Sequence, residues 1–156
     1  LPVIAAGGIG TGASMLAAMS LGADGVQMGS RFVASEEGSG HSAFKNCVVE
    51  ASEGATKLSL KKLVPVRLMK NNFFRKIKEA EDQGASVEEL RNILGKGRSK
   101  KGMFEGNLDE GELEIGQVSA MIDDIKPVSE IIDNIVFEFN KLIDEISVNN
   151  NNVIQC

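Results

Sequence analysis

Two glycine-rich stretches give this chain its chemically suggestive spacing. Pro2-Val-Ile-Ala-Ala-Gly-Gly-Ile9 and Gly25-Val-Gln-Met-Gly-Ser-Arg-Phe-Val33 each read as a short apolar strand running into a glycine turn. Glycine leaves main-chain N–H groups bare, and two consecutive strand ends of this kind form a cradle for a phosphate. Main-chain donors near Gly8, Gly29 and Ser30 would bind the anion, helped by the Ser30 hydroxyl. The chemistry indicated is retention of a phosphate-bearing cofactor at the C-terminal edge of a parallel sheet. The plainer reading is that these glycines serve only as tight strand-to-helix turns.

Gly8-Ile-Gly-Thr-Gly-Ala13 also fits the loose dinucleotide fingerprint G-x-G-x-x-G/A. That fingerprint wants a carboxylate at the end of the following strand to hold a ribose hydroxyl. The following strand ends Gln27-Met-Gly-Ser30 instead, which favours a phosphate site built by the last two strands of a (β/α)8 barrel. His41, the single histidine, follows Gly38-Ser-Gly40 at the mouth of a helix and reads as a cap rather than a general base. Glu36 and Glu37 read as first-turn helix residues rather than an acid/base pair. Arg67 and Lys70 could meet an anionic substrate or form a solvated helix face. Met103, Phe104 and Gln117 could approach a cofactor through a late loop. Cys47 reads as packing, and with Cys156 it offers neither a disulfide framework nor a metal motif.

The elements that must position these residues follow from periodicity. Residues 3–6 are a continuous apolar run, the pattern of a strand covered on both faces. A helix over 13–21 follows, with Leu16 and Met19 facing inward and Gly22 as its left-handed stop. Residues 24–28 give the second strand, completing a right-handed βαβ unit. Phe44, Cys47, Val48 and Ala51 mark a helix over 42–52, and 67–82 reads as a further helix burying Leu68, Met69, Phe73, Phe74 and Ile77. Ser86-Val-Glu-Glu89 is a capping box opening another. A glycine-punctuated loop covers 95–116. Pro127 opens a long helix carrying Ile131, Ile135, Phe139, Leu142 and Ile146. The tail 149–156 has nothing to bury and is expected to be disordered. Two strands cannot form a stable parallel sheet, so the remaining strands are expected upstream of Leu1. The expected fold is α/β, the last two strands of a barrel followed by a mostly helical extension. Its parts are 1–55 in the barrel, 56–116 as a helical insertion or lid, and 117–148 packing back.

Composition sets the outer bounds. With 42% apolar and 25% charged residues the chain is an ordinary globular sequence. Its net charge of −5 argues against nucleic acid as partner, and Lys96-Gly-Arg-Ser-Lys-Lys101 reads as a solvated or phosphate-facing loop. The apolar runs fall short of a membrane span. A reducing, cytoplasmic setting is the expectation, and the long last helix could serve a homodimer interface.

At these residues the chain resembles a known family. Val-Ile-Ala-Ala-Gly-Gly-Ile, Leu-Gly-Ala-Asp-Gly-Val-Gln-Met-Gly-Ser-Arg-Phe and Ser35-Glu-Glu are similar to the nitronate monooxygenase (2-nitropropane dioxygenase) family, with its related FMN-dependent enoyl-acyl-carrier-protein reductases. Pro65-Val-Arg-Leu-Met-Lys-Asn71 and Gly116-Gln-Val-Ser-Ala-Met-Ile122 extend the resemblance to about residue 140. The resemblance implies a flavin-binding TIM barrel in which Gly7, Gly8, Gln27, Met28, Gly29 and Ser30 contact FMN, chiefly its phosphate. Ser30 stands where the family usually has Thr. The catalytic histidine implied by the family lies on the earlier half of the barrel. The implied activity is oxidation of alkyl nitronates with molecular oxygen, the alternative being reduction of an enoyl thioester with NAD(P)H. More distant alternatives are an inosine-monophosphate dehydrogenase-like barrel and a non-enzymatic scaffold.

Overall fold

A computed structural model describes residues 1–153, with side chains through Val148. The chain opens with β1 (Ile4–Ala6), α1 (Gly12–Ser20) and β2 (Gly25–Gln27), followed by the short turn α2 (Ser30–Val33) and by α3 (Ser42–Val49). Strands β1 and β2 pair in parallel, Ile4 opposite Gly25 and Ala6 opposite Gln27. Gly22, at φ +102°, ends α1 as a left-handed residue. This two-stranded sheet leaves Val3 60% and Ile4 54% exposed, so its apolar surface is only partly covered by the described residues.

Beyond α3 the chain forms a second unit. Strands β3 (Thr56–Ser59) and β4 (Val66–Met69) make an antiparallel hairpin, followed by α4 (Asn72–Asp82) and α5 (Val87–Leu94). The expected single helix over 67–82 is therefore a strand and a shorter helix. Leu68 and Met69 alternate in the pleat, and residue 114 bridges to Leu68 from the other side. The helix starts only where the Asn71 side chain accepts the Phe74 N–H at 2.8 Å. Ser86 and Glu89 close the expected capping box on α5. Leu60, Leu68, Phe73, Phe74, Ile77 and Leu90 form this unit's core, with Arg98 stacked 4.9 Å from the Phe73 ring centroid.

The loop over 95–116 contains a π-helical turn at Lys100–Phe104, a geometry frequent at functional sites. Its last residues pair with β4, as Met69 donates to the Leu113 carbonyl and Ile115 to that of Arg67. A 3₁₀ turn at Gln117–Met121 leads to α6 (Val128–Val153), which packs along α1. The helical backbone of α6 continues through 149–153, where disorder was expected; extending a formed helix gains one hydrogen bond per residue fixed. Residues 154–156, the rest of that expected tail, lie outside the described residues.

Candidate phosphate site at two glycine turns

Parallel pairing of β1 with β2 places their C-terminal ends side by side, about 4.8 Å apart. Gly7 and Gly8 leave β1 with φ of +86° and +73°, a region side chains rarely adopt. Met28 and Gly29 leave β2 at the same end. A Cβ built at Gly7, Gly8 or Gly29 would meet nothing within 4 Å, so all three face open space. Gly29 then caps α2, whose first residue is Ser30.

The Ser30 hydroxyl has a defined role. Its oxygen accepts the Gly116 N–H at 3.1 Å, which leaves its own proton free to donate. A Cβ on Gly116 would sit 2.7 Å from that oxygen, so a larger residue there would push the hydroxyl aside. The sequence gives Gly116 no site role; its signal is its place at the start of Gly116-Gln-Val-Ser-Ala-Met-Ile122, two residues after the Glu114 bridge to β4. Gly29 also borders a hollow of about 420 Å³ shared with Phe44, Met103 and Phe104. The late loop thus reaches the second glycine turn through the π-helical turn. Gln117 is exposed at the following turn.

The other glycines of the first turn serve packing. Gly10 and Thr11 both donate to the Ser14 hydroxyl, at 3.2 and 3.1 Å, and Ser14 donates to Thr11 Oγ1 at 3.1 Å. The Gly12 N–H donates to Glu138 Oε2 of α6 at 2.6 Å. The amides that a dinucleotide's pyrophosphate would use are occupied, which agrees with setting that fingerprint aside. The main-chain groups left open at this edge are those of Gly7–Gly8 and Met28–Ser30, not those at the start of α1.

His41 caps α3: its Nδ1 accepts the Ala43 N–H at 3.1 Å, and its backbone N–H donates to the Met103 carbonyl at 2.7 Å. Glu36 and Glu37 lie in the loop after α2, not in a first helical turn. That loop is fixed by other bonds, since Glu36 donates its N–H to Lys126 while the Glu37 carboxylate caps α6 by accepting the Val128 N–H at 2.9 and 3.1 Å. Buried Lys45 donates to the carbonyls of Ser35 and Glu36 at 2.6 and 3.0 Å. Arg31, also buried, pairs with Asp124. Arg67 lies on β4 and donates to Thr56 Oγ1 at 3.3 Å, while Lys70 is exposed after β4, so neither belongs to a helix face. Burial, then Glu50, pushes the Cys47 thiol above its ordinary range, as expected of an inert packing residue. No group of His, Cys, Asp and Glu among the described residues could hold a metal ion. No helix there is long and apolar enough to cross a membrane.

The parallel βαβ unit and its paired glycine turns define an α/β protein with a candidate phosphate-binding edge. The family model for nitronate monooxygenase matches residues 1–138, and the chain belongs to that family of enzymes. A probable nitronate monooxygenase of Staphylococcus saprophyticus is 30% identical over 144 residues, which cover 92% of this chain and 40% of that protein. Among solved structures, FabK from Thermotoga maritima is 40% identical with a TM-score of 0.88, over 96% of this chain and 47% of that one. A nitroalkane oxidase from Streptomyces ansochromogenes is 25% identical with a TM-score of 0.72, over 94% of this chain and 41% of that one. The chain thus spans less than half the length of these relatives.

Proposed function

We propose that this chain forms the phosphate-holding end of an FMN-dependent oxidoreductase with a TIM barrel, of the nitronate monooxygenase type. The observation that carries the reading is the open space in front of Gly7, Gly8 and Gly29 on adjacent strand ends. The residues fit the group: bare amides, a positive-φ turn and a hydroxyl whose proton is free. In this reading Gly7, Gly8, Met28, Gly29 and Ser30 bind the phosphate, and Gln27 stands at the strand end beside it. Met103 and Phe104 wall the neighbouring hollow. Bound FMN would supply the electron transfer, while the chain orients it.

Family membership supports an alkyl nitronate as substrate, oxidised with molecular oxygen. A second reading, reduction of an enoyl thioester with NAD(P)H, is favoured by the higher identity to FabK, 40% against 25% for the nitroalkane oxidase. The full-length protein separates the two. Under the first reading it consumes oxygen with propyl-2-nitronate and leaves NADH untouched in the presence of crotonyl thioester. Under the second it oxidises NADH or NADPH with that thioester and shows no nitronate-dependent oxygen uptake. Absence of both activities from a flavin-loaded enzyme would refute both substrate assignments.

A further inference from the structure

Charge is unevenly distributed along this acidic chain. Residues 56–101 hold 13 of its 17 Lys and Arg but only 5 of its 22 Asp and Glu, and residues 54–78 contain eight cations and no acid. A cavity of about 500 Å³ opens in this unit between the β3–β4 loop and α5. Its walls are largely apolar, including Leu60, Leu63, Val66, Val87 and Leu94. Val64, 75% exposed, also lines it, and Lys62 and Arg91 complete the cationic part of the lining. Lys62 Nζ is held in place by the Ala85 carbonyl at 2.8 Å. Among the described residues, neither Lys62 nor Arg91 forms an ion pair.

Glu112 and Glu114 also line this cavity, and their geometry limits the negative charge they present. Ser99 Oγ lies 2.7 Å from Glu112 Oε2 and 2.7 Å from Glu114 Oε1. Ser99 thus engages one oxygen of each carboxyl, and neither carboxyl pairs with Lys62 or Arg91. Burial, and in smaller part Glu114, raises the Glu112 carboxyl above the usual range against the opposing pull of the Ser99 hydrogen bond, which reduces the negative charge it presents.

We propose that this cavity binds a linear amphiphile with an anionic head, its tail among Leu60, Leu63 and Leu94 and its head against Lys62 and Arg91. Charge complementarity selects this occupant: two cations outside any ion pair border an apolar slot, one of them on the acid-free strip 54–78, and the Glu112 and Glu114 carboxyls are engaged by Ser99. The cavity shares no lining residue with the hollow at Gly29, so the proposal stands apart from the flavin reading.

The test is calorimetric titration of the full-length protein with laurate and with dodecyltrimethylammonium, both below their micellar concentrations. Saturable laurate binding, at least about ten-fold tighter than that of the cationic amphiphile, is expected from one charge-assisted contact. Arg91→Glu should weaken laurate about ten-fold or more, and Arg91→Lys should keep most of the affinity. Val64→Glu, at an exposed loop position, should also weaken it with an unchanged circular dichroism spectrum. Equal binding of the two amphiphiles, no binding of laurate, or indifference to Arg91→Glu would overturn the proposal. Binding of polyglutamate with no laurate binding would do so too, by making the strip a docking surface for an acidic protein.

Discussion

Replacing Gly12 by alanine tests whether the first turn's third glycine serves packing or a ligand. A Cβ there would stand 2.5 Å from the Ile135 carbonyl oxygen, 2.5 Å from the Phe139 nitrogen and 2.7 Å from Glu138 Cβ. Ordinary contact begins near 3.4 Å, so α1 and α6 would have to part by about 0.9 Å, the difference between 3.4 and 2.5 Å. Backbone atoms give way less easily than a side-chain tip, and overpacking of this kind costs about 1–3 kcal/mol. The movement would also stretch the Gly12-to-Glu138 hydrogen bond, a charged contact worth about 1.5–3 kcal/mol if lost entirely. Against these stands alanine's better helix propensity, worth up to about 1 kcal/mol. The clash wins, leaving a net loss of roughly 1–4 kcal/mol. Thermal unfolding of the full-length protein should show a melting temperature lower by several degrees, with flavin content of the folded fraction unchanged. A neutral or stabilising Gly12→Ala would refute the close α1–α6 approach. Normal stability with loss of flavin would return Gly12 to a ligand site.

Ser30→Ala should leave the Gly116 N–H without its acceptor, lowering stability by about 1 kcal/mol and speeding FMN release about ten-fold or more, while Ser30→Thr restores both; FMN dissociation followed by fluorescence, alongside a melt, decides it. Glu112 is a carboxyl raised above its ordinary range, so it stabilises the fold most fully at acid pH, where it is protonated in both states, and that contribution fades as pH rises through its folded-state value. Glu112→Gln should therefore flatten the stability decline on the alkaline side of the ordinary glutamate range; an unchanged denaturation profile from pH 4 to 8 would contradict the raised Glu112 carboxyl. His41→Ala should cost a capping increment of about 0.5–2 kcal/mol and keep turnover of the full-length enzyme within about ten-fold. A loss of the 10²–10⁴-fold typical of a general base, with the fold intact, would place His41 in the chemistry.

The sequence discloses what local pattern determines and hides what distant partners decide. The βαβ start, the Gly22 stop, the Ser86 capping box and the long last helix all follow from short-range signals, and each is present. Strand β4 was hidden because Leu68, Met69, Phe73, Phe74 and Ile77 satisfy a helical period as well. Its conformation comes from Thr56–Ser59 on one side and residue 114 on the other, partners that periodicity cannot register. Asn71-Asn72 was the available signal for the true helix start. At the candidate site, the glycine turns were legible as turns, since Gly7 and Gly8 follow a short apolar run and take positive φ. Gly116 on Ser30, Glu138 on Gly12 and Glu37 on Val128 join residues 86, 126 and 91 positions apart, beyond any local rule.

The central claim is that Gly7–Gly8 and Met28–Ser30 hold a phosphate, and comparing FMN with riboflavin in the full-length apoprotein tests it most directly. The two ligands share the ring and differ in the phosphate alone. Two charge-assisted hydrogen bonds, each worth about 1.5–3 kcal/mol, imply FMN binding on the order of a hundred-fold to ten-thousand-fold tighter. Gly29→Val, whose added Cβ meets nothing in the chain and whose φ of −110° suits any residue, should collapse that preference while leaving the fold intact. Equal affinity for FMN and riboflavin, or a Gly29→Val protein that still prefers FMN by the full margin, would contradict the phosphate cradle.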